Sequence, residues 1–307
     1  MPNWCANRLL IRGQENEIAR VKQLLNDEGY PAYARAEAEG IQLLMAGCAG
    51  LLRPVSATGY APYPALTGEG PGDDTPQNRA FTQWLQLLND QTALTEAACA
   101  TLHELWLASG ISGRTWDTLT GVQQEYIRAL WEQKRHDWSG AFCINGTEES
   151  WNRLCRGEGY TRRAPLLDMQ LLLPTRLDVE INGFNGGLLD GVPSGYSWYV
   201  SHYGVKWPQA FVDIAFQDAV SVTVDFDTPW SPPAEAVLSA MSSRYGVSIE
   251  HWYAEAGGSF CGRATYEGGD RTLVQSAELE WGEEDEDGGC EVAGPDWIMN
   301  NVAHFGG

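Results

Sequence analysis

The chain has 307 residues, 43% hydrophobic and 20% charged, the composition of one large globular domain or two modest ones. Twenty Lys plus Arg stand against 41 Asp plus Glu, a formal charge of −21, and only Lys22, Lys134 and Lys206 are lysines. So acidic a chain lacks the basic surface that displaces counterions from a phosphate backbone, so direct nucleic-acid binding is not expected. Cations, a basic protein, or a basic groove that normally holds nucleic acid are the partners its charge favours.

Strand then helix opens the sequence. Asn7 to Ile11 is a short run, and Ile18, Val21, Leu24 and Leu25 recur at helical spacing over Glu15 to Asn26. Gly29 and Pro31 end that helix. Residues 53–77, with prolines at 54, 62, 64, 71 and 76 and four glycines, predict an ordered surface loop or linker. Residues 78–163 predict a helical insertion. Its stripes are Phe81/Trp84/Leu85/Leu88, then Leu94/Ala97/Ala98/Leu102/Leu105/Trp106, then Val122/Tyr126/Ala129/Leu130 with Trp131 as a candidate extension, and a shorter Trp151/Leu154/Cys155.

The texture changes near residue 164. Leu177, Val179 and Ile181 alternate with Asp178 and Glu180, and Phe211 to Phe216 alternates with Asp213 on the polar side. Val220, Val222, Val224 and Phe226 interleave with Ser221, Thr223, Asp225 and Asp227, the clearest half-buried strand in the chain. Ser231-Pro232-Pro233 predicts a helix start with Ser231 as cap. Strands are predicted at 247–253, 260–266 and 271–281, with a hairpin turn at Gly257-Gly258. Strand–helix–strand–strand–helix–strand order predicts an α+β fold: a ferredoxin-like antiparallel or mixed sheet with a helical insertion. The expected layout is residues 1–52 packing on the C-terminal sheet, the 53–77 loop, the 78–163 insertion, and an acidic ferredoxin-like domain over 164–307.

Acidity is concentrated late: residues 177–307 hold 4 basic and 21 acidic side chains, net −17, against −4 before them. One part is the run Glu283, Glu284, Asp285, Glu286 and Asp287, flanked by glycines; such blocks are ordinarily solvated loops, and this one lacks a calcium-loop pattern. The other part is Asp178, Glu180, Asp213, Asp225 and Asp227. As the polar partners of alternating strands they are expected to share one sheet face. That face is either a screened, water-facing surface, a docking face for a basic partner, or a metal site.

No familiar catalytic motif appears. The five histidines fall in no metal-ligand spacing, the seven cysteines include no C-x-x-C, and no nucleophile elbow or phosphate loop is present. The glycine-dense stretch 183–195 carries no Lys or Arg for a phosphate, and turns explain its glycines equally well. No cofactor is expected. The start lacks the basic and apolar regions of a signal peptide, and the longest uncharged greasy stretch, residues 40–52, is too short to span a bilayer. These features predict a cytoplasmic protein with no membrane partner. Of thirteen tryptophans, Trp198, Trp207, Trp230, Trp252, Trp281 and Trp297 lie in the acidic half, as core residues or as interface anchors.

Four segments carry a family resemblance: Met1-Pro2-Asn3-Trp4-Cys5-Ala6-Asn7, Trp198 through Tyr203-Gly204-Val205-Lys206-Trp207, Phe226-Asp227-Thr228-Pro229-Trp230-Ser231-Pro232-Pro233, and Trp252-Tyr253-Ala254-Glu255-Ala256-Gly257. In these the chain resembles the YubB-type proteins of conjugative plasmids and related phage proteins along its whole length. The resemblance implies a ferredoxin-like C-terminal part and brings no catalytic residues with it. Plasmid regions that enter a recipient first commonly encode protection against host defence, which makes an anti-defence role an expectation by association.

Two functions therefore compete. One is a non-catalytic interaction protein whose acidic surface occupies a basic host defence or DNA-processing protein. The other is an enzyme, with or without a divalent ion, with its site expected between the helical part and the sheet and drawing on some of Asp213, Asp225, Asp227, His202 and Glu255. The charge asymmetry favours the first.

Overall fold

The computed structural model describes residues 3–138, 146–159, 162–284 and 290–306. They fall into two units, Met1–Glu28 with Arg162–Leu173 and Tyr199–Gly307, and Gly29–Thr161 with Pro174–Trp198. The boundary thus comes at Gly29, ahead of the expected Leu52, because the helix that follows is buried along most of its length among other helices. Residues 174–198 likewise belong with the helices, not with the sheet.

In the first unit, strand β1 (Trp4–Arg12) lies mid-sheet, antiparallel to β4 (Ser221–Pro229) on one side and β5 (Ser248–Glu255) on the other. With β2 (Leu166–Asp168), β3 (Gln209–Gln217), β6 (Phe260–Glu267) and β7 (Asp270–Glu278) it builds a seven-stranded sheet ordered β2-β3-β4-β1-β5-β6-β7, antiparallel throughout. Strands β3, β4, β1 and β5 with helices α1 (Glu15–Asn26) and α9 (Glu235–Tyr245) follow the ferredoxin-like order read from the sequence. Alternation decides the faces. Cys5, Leu9, Ile11, Val222, Val224 and Ile249 point to one side, buried beneath Ile18, Val21 and Leu25 of α1 and Val237, Leu238 and Met241 of α9. Each such side chain contributes roughly 1.5–3 kcal/mol by leaving water.

Ser231 does not cap α9. Pro232 and Pro233 hold the chain before them extended, so the helix starts at Glu235 behind Ala234, and the Ser231 hydroxyl donates to Gly204 O instead. The acidic segment also differs from expectation: Glu283 and Glu284 belong to β8 (Glu280–Glu284), paired with β9 (Cys290–Ala293), while Asp285, Glu286 and Asp287 lie outside the described residues.

The second unit is helical: α2 (Ala32–Cys48), α3 (Pro76–Asn89), α4 (Glu96–Ala108), α5 (Gly121–Lys134), α6 (Thr147–Cys155) and α7 (Leu177–Asn182). Gly47 of α2 lets the Phe81 ring approach closely; a Cβ there would lie 2.6 Å from Cζ. On α5 the stripe is displaced from the expected one. Val122 and Tyr126 are exposed, and Ile127, Leu130, Trp131 and Lys134 face inward at helical spacing. Lys134 was not an obvious core residue, but its ammonium bonds Asp137 and donates to Gly186 O at 2.9 Å, so its charge is satisfied inside. Helix α8 (Gly195–Tyr203) contains the division between the two units.

A polar cluster sits within the sheet core. Asn7 Nδ2 donates to Thr228 Oγ1 at 2.8 Å, and the His251 Nε2 to Asn7 Oδ1 contact is 3.0 Å. Burial pushes the His251 pKa down from 6.5 to about 3, so the ring is neutral in the fold. The unfolded chain takes up this proton once the pH drops below about 6.5. Stability from the neutral ring is therefore complete above pH 6.5 and lost as the pH falls towards 3, at up to about 1.4 kcal/mol per pH unit. Denaturant midpoints of wild type and His251→Gln between pH 7 and 4 check this. The wild type is expected to lose stability more steeply than the variant; parallel slopes would show that the ring is charged in the fold.

Candidate functional site

The face of the sheet opposite α1 and α9 carries the odd partners of the alternation: Trp4, Arg8 and Leu10 of β1, Phe211 and Asp213 of β3, Asp225 and Asp227 of β4, Trp252 of β5. Part of this face is covered. After β9, helix α10 (Asp296–Met299) buries Ile298 against Trp252, Ala254, Cys261 and Leu279, and Ala256 N–H donates to Phe305 O at 2.8 Å. The tail reaches β4 through His304 but leaves part of β3 and β4 open. There a cavity of about 530 Å³ opens, lined among others by Trp4, Trp207, Phe211, Asp213, Asp225 and Asp227, with His304 of the tail at its rim.

The three aspartates differ in their surroundings. Asp225 takes a two-pronged bond from Arg8, Nε to Oδ1 at 2.6 Å and Nη2 to Oδ2 at 2.7 Å, and that bond raises the guanidinium pKa further. Asp227 Oδ1 lies 2.9 Å from His304 Nε2. Asp213 stands directly opposite Asp225 across the β3–β4 ladder, is exposed, and has no ion-pair partner among the described residues. Beside it the rings are unusually open for aromatics: Phe211 is 68% exposed and Trp207 38%. Trp207 tilts against Trp4 with centroids 6.2 Å apart, and the Lys206 ammonium lies 4.6 Å from the Trp207 centroid and 5.4 Å from that of Trp230.

Asp178 and Glu180 are not on this face. They lie in α7, where Leu177, Asp178, Val179, Glu180, Ile181 and Asn182 are all buried. A short helix enclosed on every side shows no amphipathic stripe, so its period-two pattern mimics a strand. Its polar groups are satisfied locally: Arg176 grips Asp178 with two nitrogens, and Thr175 Oγ1 donates to Glu180. Asn182 ties the glycine-dense segment together, accepting from Leu188 and Leu189 N–H and donating to Val192 O and Pro193 O. The glycines serve turns there. Docking on α7 carboxylates is ruled out by this burial.

Of the enzyme candidates, Asp213, Asp225 and Asp227 line the cavity together, but His202 and Glu255 do not join them. Glu255 is buried and accepts from the Gly257 and Gly258 N–H groups of its own turn, and neither it nor His202 lines the cavity. Among the described residues no three His, Cys, Asp or Glu side chains are grouped to hold a metal ion. Cys5 is buried, which drives its thiol pKa up and leaves it a poor nucleophile. In the helical unit Glu39 bonds His103 Nδ1 at 2.7 Å, and burial raises the Glu39 pKa against that bond. The Glu37 pKa is raised well above its ordinary value by burial and by the nearby Glu180. No described helix is long and apolar enough to cross a membrane.

Trp4, Arg8, Phe211 and His304 complete the site without having been singled out for it. Trp4 and Arg8 share a parity in β1, a signal that alternation carries once the strand is extended back to Trp4. His304 has no such signal, because its place depends on how the tail crosses the sheet.

Fold and site define a ferredoxin-like α+β protein whose chain also encodes a helical unit, most of it following α1 in sequence. The comparisons agree with that class: the family described as "Protein of unknown function (DUF1281)" matches residues 30–207, and "Ferredoxin-like domain in Api92-like protein" matches 206–295. The chain belongs to this DUF1281 family. Among its relatives, Escherichia coli (strain K12) YubB is 50% identical over 142 residues, 46% of this chain and 98% of YubB. E. coli YubA is 44% identical over 155 residues, 50% of this chain and 92% of YubA. The crystal structure of protein api92 from Yersinia pseudotuberculosis superimposes with a TM-score of 0.83 at 31% identity, covering 92% of this chain and all of that one.

The two central aspartates should respond differently to neutralisation. Asp225→Asn breaks a half-buried, two-pronged ion pair and is expected to cost roughly 1 kcal/mol. Asp213→Asn removes a like charge from directly across the ladder, leaving the melting midpoint unchanged or slightly higher. Thermal melts of the single variants check the contrast, and equal losses would mean that Asp213 is also engaged.

Proposed function

We propose that this protein is a non-catalytic interaction protein that holds a basic partner protein on the open part of its sheet. Asp213 carries the reading: an exposed carboxylate with no ion-pair partner among the described residues, beside exposed Phe211 and Trp207 in a concave surface. Charge at such a site steers an oppositely charged partner, and the open aromatics supply the apolar anchors that retain it. The net charge of −17 over residues 177–307 extends the same field. The partner proposed is a host defence or DNA-processing factor, inhibited by stoichiometric binding; this rests on the resemblance to conjugative-plasmid and phage proteins. The enzyme alternative has less support, since Asp225 and Asp227 are held by Arg8 and His304 and the other candidates lie elsewhere.

Affinity capture from host lysate with wild type and with the Asp213→Asn/Asp227→Asn variant tests the reading. A basic protein is expected with the wild type and lost or strongly reduced with the variant, and its on-rate should fall steeply with ionic strength. If the acidic face imitates a phosphate backbone, DNA competes for the same partner. Protection of incoming DNA at substoichiometric amounts, or capture indifferent to the double variant, would overturn it.

A further inference from the structure

We infer that the cavity on the open sheet face receives one arginine side chain of the partner, its guanidinium stacked on Trp207 or Phe211 and bonded to Asp213. This rests on the reading of that face as the binding surface for a basic protein. At about 530 Å³ the cavity falls in the range of roughly 300–1,000 Å³ that takes a small organic group. Its lining includes the rings of Trp4, Trp207 and Phe211 and the carboxylates of Asp213, Asp225 and Asp227, of which Asp225 is paired with Arg8.

The same face already binds cations in the proposed manner. Arg8 meets Asp225 as a planar fork, and Arg263 lies 5.4 Å from the Trp297 ring centroid. His304, half exposed, reaches from the tail to Asp227 and occupies a carboxylate that an incoming side chain would otherwise share. The tail thus supplies an internal competitor. Lys206, drawn over Trp207 and Trp230, is a second cation at the rim, and its charge opposes the ligand's. Arginine suits this setting better than lysine. A guanidinium is weakly hydrated, stacks flat on an aromatic face, and offers two donors to one carboxylate, whereas an ammonium is a compact, strongly hydrated point charge.

The test titrates the intact protein with acetyl-Gly-Arg-Gly-amide and its lysine counterpart, following tryptophan indole N–H signals by NMR, assigned with Trp→Phe variants. The arginine peptide is expected to shift the Trp4 and Trp207 signals and to bind at least five-fold more tightly than the lysine peptide. Asp213→Asn should weaken it about ten-fold, while His304→Ala and Lys206→Gln should each strengthen it. Phe211→Ala provides a second weakening variant at an exposed position. Equal affinity for the two peptides, shifts confined to other tryptophans, or indifference to Asp213→Asn would overturn the inference. If neither peptide binds but lysate capture still depends on Asp213 and Asp227, the arginine assignment fails alone. If that dependence is also absent, the reading of the face fails with it.

Discussion

Everything in the sheet unit depends on the pairing of β1 with strands more than 200 residues away. Trp4 lies opposite Pro229 and Arg8 opposite both Asp225 and Trp252, so one nine-residue strand fixes the register of β4 and β5 together. A slip of one residue would turn Leu9 and Ile11 outward and Arg8 and Leu10 into the core. Because register and burial are coupled in this way, the apolar face beneath α1 and α9 also determines which side chains stand on the opposite face. The cavity is built by the same alternation that builds the core.

The two faces of this sheet handle polar groups differently. Inside, Asn7, Thr228 and His251 saturate one another, and Thr228 Oγ1 also donates to Ser231 O at 2.7 Å. Each would be costly if left alone in a dry core. Outside, water lowers that penalty, so Asp213 can stand opposite Asp225 with no ion-pair partner among the described residues. Local repulsion of this kind is tolerated where the rest of the fold is secure, and it leaves attraction available to something that arrives from solution.

Much of the architecture was legible in the sequence because period-two and helical patterns are strong in β4, β5, α1 and α3. The ferredoxin-like order followed from those elements. Where a segment is buried all round, the pattern stops carrying information: α7 looked like a strand because its apolar residues could sit anywhere. The stripe on α5 was displaced for a related reason, since Lys134 reads as a surface residue until Asp137 and Gly186 are brought to it. Asp213, Asp225 and Asp227 were found as a group from alternation alone. Their different states were not, because Arg8 and His304 reach them from opposite ends of the chain.

The place of the helical unit in the chain has a consequence for biosynthesis. β1 is synthesised long before its two neighbours, which begin at Ser221 and Ser248. At roughly 5–20 residues per second, more than ten seconds of elongation separate the strand from the first of them. During that interval Leu9, Ile11 and the unpaired backbone of β1 have no sheet to join, while the helices encoded next can already fold on one another. The nascent chain thus carries β1 without its partners until β4 and β5 have been made, the state in which a holdase chaperone would meet it.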